Sequence, residues 1–324
     1  MPSGTETIFL VAVMGEFVTG MLGNGFIVLV NCIDWVKSHQ LSAADCILTS
    51  LALSRIILLW ISLADSFLMV LWPHFYAIDK LAKLIGIFWI LCNHLATWFA
   101  TCLSIFYFFK IANFSHPCFA WLRWRTGKVL LVLFLGSLFF LFLKLVLLDS
   151  FNGFWIKVEN IHERNSTWSP RISETLYLNN LIVSNLIYLI PFLLSLSSLL
   201  LLFLSLLRHS RKVQVNSSSS DFRSEAHKRA MKIVLSFLIL FILHFSSFVL
   251  TGWCFLVVQK HQVNLAVMLT WTIFPSGHSF ILILGNSKLR QTALGLLRQV
   301  NCHLKKGETL ASQTLTGLSI FQEN

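Results

Sequence analysis

Seven long apolar runs, separated by short connections that hold most of the charge, leave this chain few folds to choose from. They are Ile8 to Val30, Cys46 to Leu71, Leu84 to Phe109, Val129 to Leu148, Leu181 to Leu207, Ile233 to Val258 and Leu265 to Leu284. Each reaches the ~20 residues a helix needs to cross a bilayer, and inside hydrocarbon only helices and closed barrels satisfy every backbone polar group. The expectation is an all-α membrane protein, a bundle of seven transmembrane helices. Charged residues make up 12% of the chain, against roughly 25% in soluble domains.

A net charge of +11 raises nucleic acid as a partner, but Lys and Arg sit in short segments between apolar runs and build no soluble basic face, so nucleic acid is rejected. Those basic residues alternate. Seventeen fall on one set of connections and the tail, six on the other set, with Arg55 and Lys144 inside runs. The positive-inside rule then predicts the N-terminus outside and the C-terminus in the cytoplasm. Met1 to Thr7 carries no positive charge and the first run is long for a signal peptide, so it is expected to stay as a span. With short connections throughout, residues 1–324 are expected to form one membrane domain.

The longest outer connection, Asp149 to Asn180, contains Asn165-Ser166-Thr167, an acceptor for N-glycosylation. Sequons at Asn113 and Asn216 fall on the cytoplasmic side, away from the transferase. Ser210 to Ala226 is Ser-rich and basic and reads as a solvated loop. In the cytoplasmic tail, 288–324, Leu289, Ala293, Leu297, Val300 and Leu304 recur at helical spacing beside Arg290, Arg298, Lys305 and Lys306. This predicts an amphipathic helix from Lys288 to Lys306 on the inner membrane surface, with Cys302 as a candidate for acylation. The seven cysteines and scattered histidines lack metal-ligand spacing, so neither metal nor cofactor is expected, and the thiols are expected to be reduced.

Polar groups inside a membrane are expensive and need a partner or a function. In the third run, Trp89, Asn93 and Thr97 recur every four residues on one helix face. A large aromatic beside an amide suits an amphipathic ligand, and equally a hydrogen bond to a neighbouring helix. Counted at 1.5 Å per residue from the inner ends, Asn24, Arg55 and His278 all lie roughly 10–14 Å deep and can meet in one polar core, structural or switching. Glu16 lies about 12 Å further out and is a poorer partner for Arg55. A transporter would show paired broken helices or an internal repeat, and an enzyme convergent nucleophile, base or metal residues; neither pattern is present.

Several segments together resemble one family. WxxxN at Trp89 to Asn93, WFATCLSIFYFFKIANFSHPCF at Trp98 to Phe119, LTSLALSR at Leu48 to Arg55, LFLSL with His209, HKRAMK at His227 to Lys232 and HSFILILGNSKLRQ in the seventh span resemble the type 2 bitter taste receptors. The likeness runs over essentially the whole chain. It implies a G-protein-coupled receptor of the plasma membrane that binds diverse bitter small molecules and activates a gustducin-type heterotrimer, leading to phospholipase C and calcium signalling. It also implies that Trp89 and Asn93 line the ligand pocket, with Asp65, Asn185, Tyr188 and Trp271 as further candidates. The G-protein surface would be built from Tyr107, Lys110, Leu206, His209, His227 and Lys232, although basic residues there also set topology and contact anionic lipid. The rival expectation is a seven-span chemosensory receptor for another ligand class, such as a pheromone.

Overall fold

The computed structural model describes residues 3–40, 42–72, 79–112, 114–162, 170–216, 221–257 and 261–303. All regular structure in the described residues is helical: α1 (Gly4–Ser38), α2 (Ala43–Leu71), α3 (Asp79–Ile111), α4 (Pro117–Trp124), α5 (Thr126–His162), α6 (Pro170–Asn216), α7 (Asp221–Val257), α8 (His261–Gly285) and α9, residues 287–303. Seven of these contain stretches long and apolar enough to cross a membrane: Gly4–Ser38, Ala43–Leu71, Leu84–Ile111, Thr126–Leu147, Asn185–Arg208, Arg229–Ser247 and Met268–Gly285. The seven-helix expectation stands. The chain divides into two compact units, Met1–Ile281 and Leu282–Asn324.

Local chemistry fixes several helix ends. Ser3 accepts from the Glu6 amide at 3.3 Å while its own amide donates to Glu6 Oε2 at 2.7 Å, a reciprocal cap on α1. α1 closes at His39, which takes the left-handed conformation (φ 53°), and α2 opens within a few residues on Ser42, whose hydroxyl accepts from the Asp45 amide. His116 caps α4 and Pro117 occupies its first turn, where a missing N–H costs nothing. In the second unit, Asn286 Oδ1 accepts from the Lys288 amide at 3.0 Å and starts α9.

Two apolar clusters show how the helices alternate in direction. Phe9 and Val13 near the start of α1 pack with Leu265 near the start of α8, together with Leu63, Met69 and Val70 from the later part of α2. At the other end, Ile105 and Phe109 from the end of α3 and Ala112 just after it pack with Phe119 of α4, Leu130 of α5, Leu202 and Leu206 of α6, and Val234 and Leu238 of α7. α3 is the centre of this arrangement, in contact with α2, α4, α5 and α6.

Without a hydrophobic effect to drive helices together in lipid, close packing and interhelical hydrogen bonds must hold them. α1 supplies both. A Cβ at Gly20 would lie 2.6 Å from Leu59 Cδ1 of α2 and 2.6 Å from Ser276 Oγ of α8, and one at Gly23 would lie 3.1 Å from Ser279 Cβ. One turn on, Asn24 donates to the Gly20 carbonyl at 2.9 Å and accepts from Ser279 Oγ at 2.7 Å.

Candidate ligand-binding site

Three helices turn residues one helical turn apart toward the same space, two each from α3 and α6 and three from α7. α3 contributes Asn93 and Thr97, α6 contributes Tyr188 and Phe192, and α7 contributes Phe241, His244 and Phe245. Between them lies a narrow cleft of about 310 Å³, counting the part open to its surroundings. Its walls are mainly aromatic. Phe192 stacks on Phe245 with ring centroids 4.0 Å apart and lies nearly parallel to Phe241 at 5.6 Å.

The polar side of the cleft is wired through Tyr188. Asn93 Nδ2 donates to the Tyr188 hydroxyl at 2.9 Å, and the same oxygen accepts from the buried Lys144 ammonium of α5. Lys144 also lies over the face of the Tyr188 ring, 3.7 Å from its centroid, so the cation is held by charge–quadrupole attraction as well as by the hydrogen bond. Below Asn93, Thr97 donates to the Asn93 carbonyl at 2.8 Å and Thr101 to the Thr97 carbonyl at 2.9 Å. Ser195 Oγ reaches Thr101 Oγ1 at 2.9 Å, which ties α6 to α3 beneath the cleft. His244 Nδ1 is buried with no hydrogen-bond partner, as is Asn185 Oδ1.

A second polar seam adjoins the cleft. His244 stacks on Phe274 of α8 (4.2 Å, 18°), Phe274 stacks on His278 (5.1 Å, 13°), and His278 Nδ1 is hydrogen-bonded to Arg55 Nη2 of α2. Arg55 is completely buried, with its guanidinium 5.3 Å from the Phe274 centroid. The three residues expected to form one polar core are therefore close, but wired in two branches. Arg55 pairs with His278, whereas Asn24 spends its amide on Gly20, Pro275 and Ser279 of α1 and α8. One turn of α8, from Pro275 to Ser279, serves both branches.

The other expected ligand contacts are placed less centrally. Trp89 is half-buried one turn before Asn93, and Asp65 is half-buried on α2; neither lines the cleft, and both have partners of their own. Asn185 is half-buried one turn before Tyr188 and also lies off the lining. The side chains of Trp271, His209 and His227, and the whole of Asn165, lie outside what the structure describes. Of the expected G-protein contacts, Tyr107 and Leu206 belong to the cluster at the ends of α3 and α6. Lys110 is exposed beside the Phe106 ring, and Lys232 is exposed on α7.

Sequence reasoning passed over Phe192, Phe241, His244 and Phe245, and counted Lys144 without giving it a partner. The signals were there. Tyr188 and Phe192 repeat the four-residue spacing of Asn93 and Thr97, His244 is a polar residue inside an apolar run, and an ionisable residue within a span asks for a partner by default.

Seven helices long and apolar enough to span a membrane, with a narrow aromatic cleft set among them, define a seven-span membrane protein. The sequence model of the family described as taste receptor protein (TAS2R) matches residues 1–301. Taste receptor type 2 member 42 of Pongo pygmaeus is 48% identical over 314 residues, covering 96% of this chain and 99% of the relative. Taste receptor type 2 member 7 of Macaca mulatta is 44% identical over 308 residues, covering 94% and 97%. The chain belongs to the taste receptor type 2 family, the receptors of bitter taste, and is a multi-pass protein of the plasma membrane.

Proposed function

We propose that the cleft between α3, α6 and α7 is where this receptor takes bitter small molecules, and that occupation of the cleft activates a heterotrimeric G protein of the gustducin type. The observation that carries the reading is the convergence of Asn93 and Tyr188 on one aromatic-walled space, joined by a 2.9 Å hydrogen bond. A small number of fixed polar groups in an apolar cleft is how such sites orient a ligand. The surplus of Lys and Arg on alternate connections supports an outer N-terminus and a cytoplasmic C-terminus. In that orientation Asn93 and Thr97 belong to the outer half of the third span, and Trp89, Asp65, Asn185 and Trp271 would meet the outer parts of larger agonists. Tyr107, Lys110, Leu206, His209, His227 and Lys232 would face the G protein at the cytoplasmic end.

The test is a calcium dose response to a panel of bitter compounds, in cells expressing a gustducin-type G protein, with surface labelling of each variant. Asn93→Ala should raise the agonist concentration needed by about fivefold, the equivalent of one hydrogen bond of about 1 kcal/mol. Trp89→Ala should give about thirtyfold for agonists that reach it, from roughly 2 kcal/mol of buried aromatic contact. Phe108→Ala, at the other end of α3, should alter expression or coupling but leave the rank order of agonists unchanged. If Asn93→Ala and Trp89→Ala reach the surface and answer the whole panel at unchanged potency, the ligand binds elsewhere.

A further inference from the structure

α4 and the first turns of α5 present two faces of opposite character. On one, Phe119 is buried and meets Phe108 and Phe114 edge to face, each at 5.4 Å, and Phe109 at 5.8 Å, which fixes this side of α4 against the end of α3. On the other, Trp121 is 53% and Trp124 85% exposed. Helical bonding runs on through the junction of the two helices: the Arg125 amide donates to the Trp121 carbonyl at 3.3 Å and the Val129 amide to the Arg125 carbonyl at 3.0 Å. Spacings of three and four therefore still mark one face, and they bring Trp121, Trp124, Arg125 and Lys128 into line with Leu131, Val132 and Leu135. The last three are each more than half exposed on a helix that spans the membrane, so they face acyl chains. The Trp and basic residues stand where chains give way to headgroups.

The two cations of this row lack a counter-charge. The Arg125 guanidinium lies over the Trp121 ring, 5.0 Å from its centroid, and among the described residues neither it nor the Lys128 ammonium has a hydrogen-bond or ion-pair partner. The sequence around them offers none, since no Asp or Glu occurs between Lys80 and Leu148. Stacking on an aromatic face leaves the planar fork of an Arg available to a phosphate, whose oxygens it matches in pairs.

We propose that this face binds an anionic phospholipid of the cytoplasmic leaflet, with Arg125 and Lys128 on the headgroup phosphate, Trp121 and Trp124 at headgroup level, and the acyl chains along Leu131, Val132 and Leu135. Such a lipid matches both halves of the face at once, an anion for the two cations and chains for the apolar row that continues from them. A G protein could meet the cations, but it has nothing to lay along a row that lies within the span. The site is separate from the ligand cleft, and the choice of leaflet rests on the cytoplasmic placement of α4.

The whole receptor in detergent micelles is titrated with phosphatidylserine and with phosphatidylcholine of the same chains, and bound lipids are counted by native mass spectrometry. The wild type should bind its first phosphatidylserine about tenfold or more tightly than its first phosphatidylcholine. Arg125→Gln and Lys128→Gln should each weaken phosphatidylserine about fivefold, and together they should abolish the preference. Trp124→Ala, which has little packing within the protein to lose, should weaken both lipids about tenfold. Arg123→Gln removes an exposed cation that is off the row and should change nothing. An equal loss in Arg123→Gln would mean diffuse charge and overturn the site, as would a wild type without preference or a preference that survives the double variant. Glycerophosphoserine, the headgroup without chains, should not compete; competition equal to that of the lipid would make the occupant a free phosphate compound. A double variant that keeps the lipid preference and loses G-protein activation would assign the face to the G protein, and a receptor dimer split by Trp124→Ala would assign it to a second copy; either overturns the proposal. Micelles have no sides, so placement is read separately. An epitope tag at the C-terminus that antibody reaches on intact cells would overturn the cytoplasmic leaflet while the lipid preference stands on its own result.

Discussion

Removing the acceptor from the Arg55–His278 pair should harm the protein more than removing the cation, and the structure says by how much. Arg55 has no exposed surface, a hydrogen bond to His278 Nδ1 and the face of Phe274 at 5.3 Å, while its Nε and Nη1 have no partner. A charge-assisted hydrogen bond contributes about 1.5–3 kcal/mol, and a desolvated cation–π contact about 2 kcal/mol. Against these stands the cost of taking a guanidinium out of water, several kcal/mol per ion even after relaxation. The opposing effects are of similar size, so Arg55→Met, which fills much of the same volume without charge, should lie within about 1 kcal/mol of the wild type. Arg55→Ala adds an unfilled cavity and should cost about 2–4 kcal/mol.

His278→Ala leaves the cation in place without its acceptor and should cost about 3–5 kcal/mol. Combining it with Arg55→Met should therefore recover stability relative to His278→Ala alone, since the stranded charge is gone. The assay is the thermal inactivation midpoint of detergent-solubilised receptor, alongside the fraction displayed at the cell surface. A double variant no better than His278→Ala, or His278→Ala as stable as Arg55→Met, would refute the account of the pair as a desolvated cation held by one strong bond. Signalling adds a separate reading: Arg55→Met at normal surface level but silent to agonist would make the seam a switch, and normal signalling would make it packing.

Gly20→Ala should destabilise the receptor by about 1–3 kcal/mol in the same thermal assay, because its methyl would meet Leu59 and Ser276 at 2.6 Å, whereas Gly25→Ala, which meets nothing within 4 Å, should be neutral or slightly stabilising. Asn165→Gln should increase gel mobility to the same extent as glycosidase treatment of the wild type, and a wild-type band indifferent to glycosidase would count against an outer loop there. Acyl exchange should label Cys302 and be lost in Cys302→Ser; absence of labelling in the wild type would remove the acyl group but leave α9, whose exposed Leu294, Leu297 and Val300 still form an apolar strip suited to a membrane surface.

Span positions were legible because hydrophobic run length is set by the bilayer and needs no knowledge of neighbours. The runs beginning at Cys46 and Leu84 match helices that carry on to Leu71 and Ile111 with only small changes at their ends. The extra helical turns have local causes that an apolar count ignores, such as the Ser3–Glu6 capping box and the His116–Pro117 start of α4. Depth counting puts Arg55 and His278 at one level, since rise per residue is constant along a helix, and the two side chains are hydrogen-bonded in the structure. It could not decide azimuth, and azimuth is what sends Asn24 to Ser279 instead of to Arg55. The same limit hid the cleft. Asn93 and Thr97 share a face by spacing alone, but that this face meets Tyr188 of α6 and His244 of α7 depends on how three helices are rotated about their axes.

If the cleft takes the ligand as proposed, the two polar systems are suited to different work. An agonist shifts an equilibrium only by the difference in its affinity for the two states, so a contact that is equally good in both contributes to binding and nothing to activation. Asn93, Tyr188 and Lys144 link α3, α6 and α5 through hydrogen bonds among themselves, which suits them to holding the cleft's shape. His244 is different. Its Nδ1 is unpaired, and its ring continues through Phe274 and His278 to Arg55, so a change in how α7 sits against the ligand is felt by packed rings on α8 and by a charged side chain on α2. Packed rings with a single strong hydrogen bond at their end favour discrete arrangements over gradual deformation, because interiors at crystal-like density move by repacking. On the proposed reading of the cleft, His244 is thus the lining residue with a hydrogen bond still to make, and its ring is the one joined to the Arg55–His278 seam.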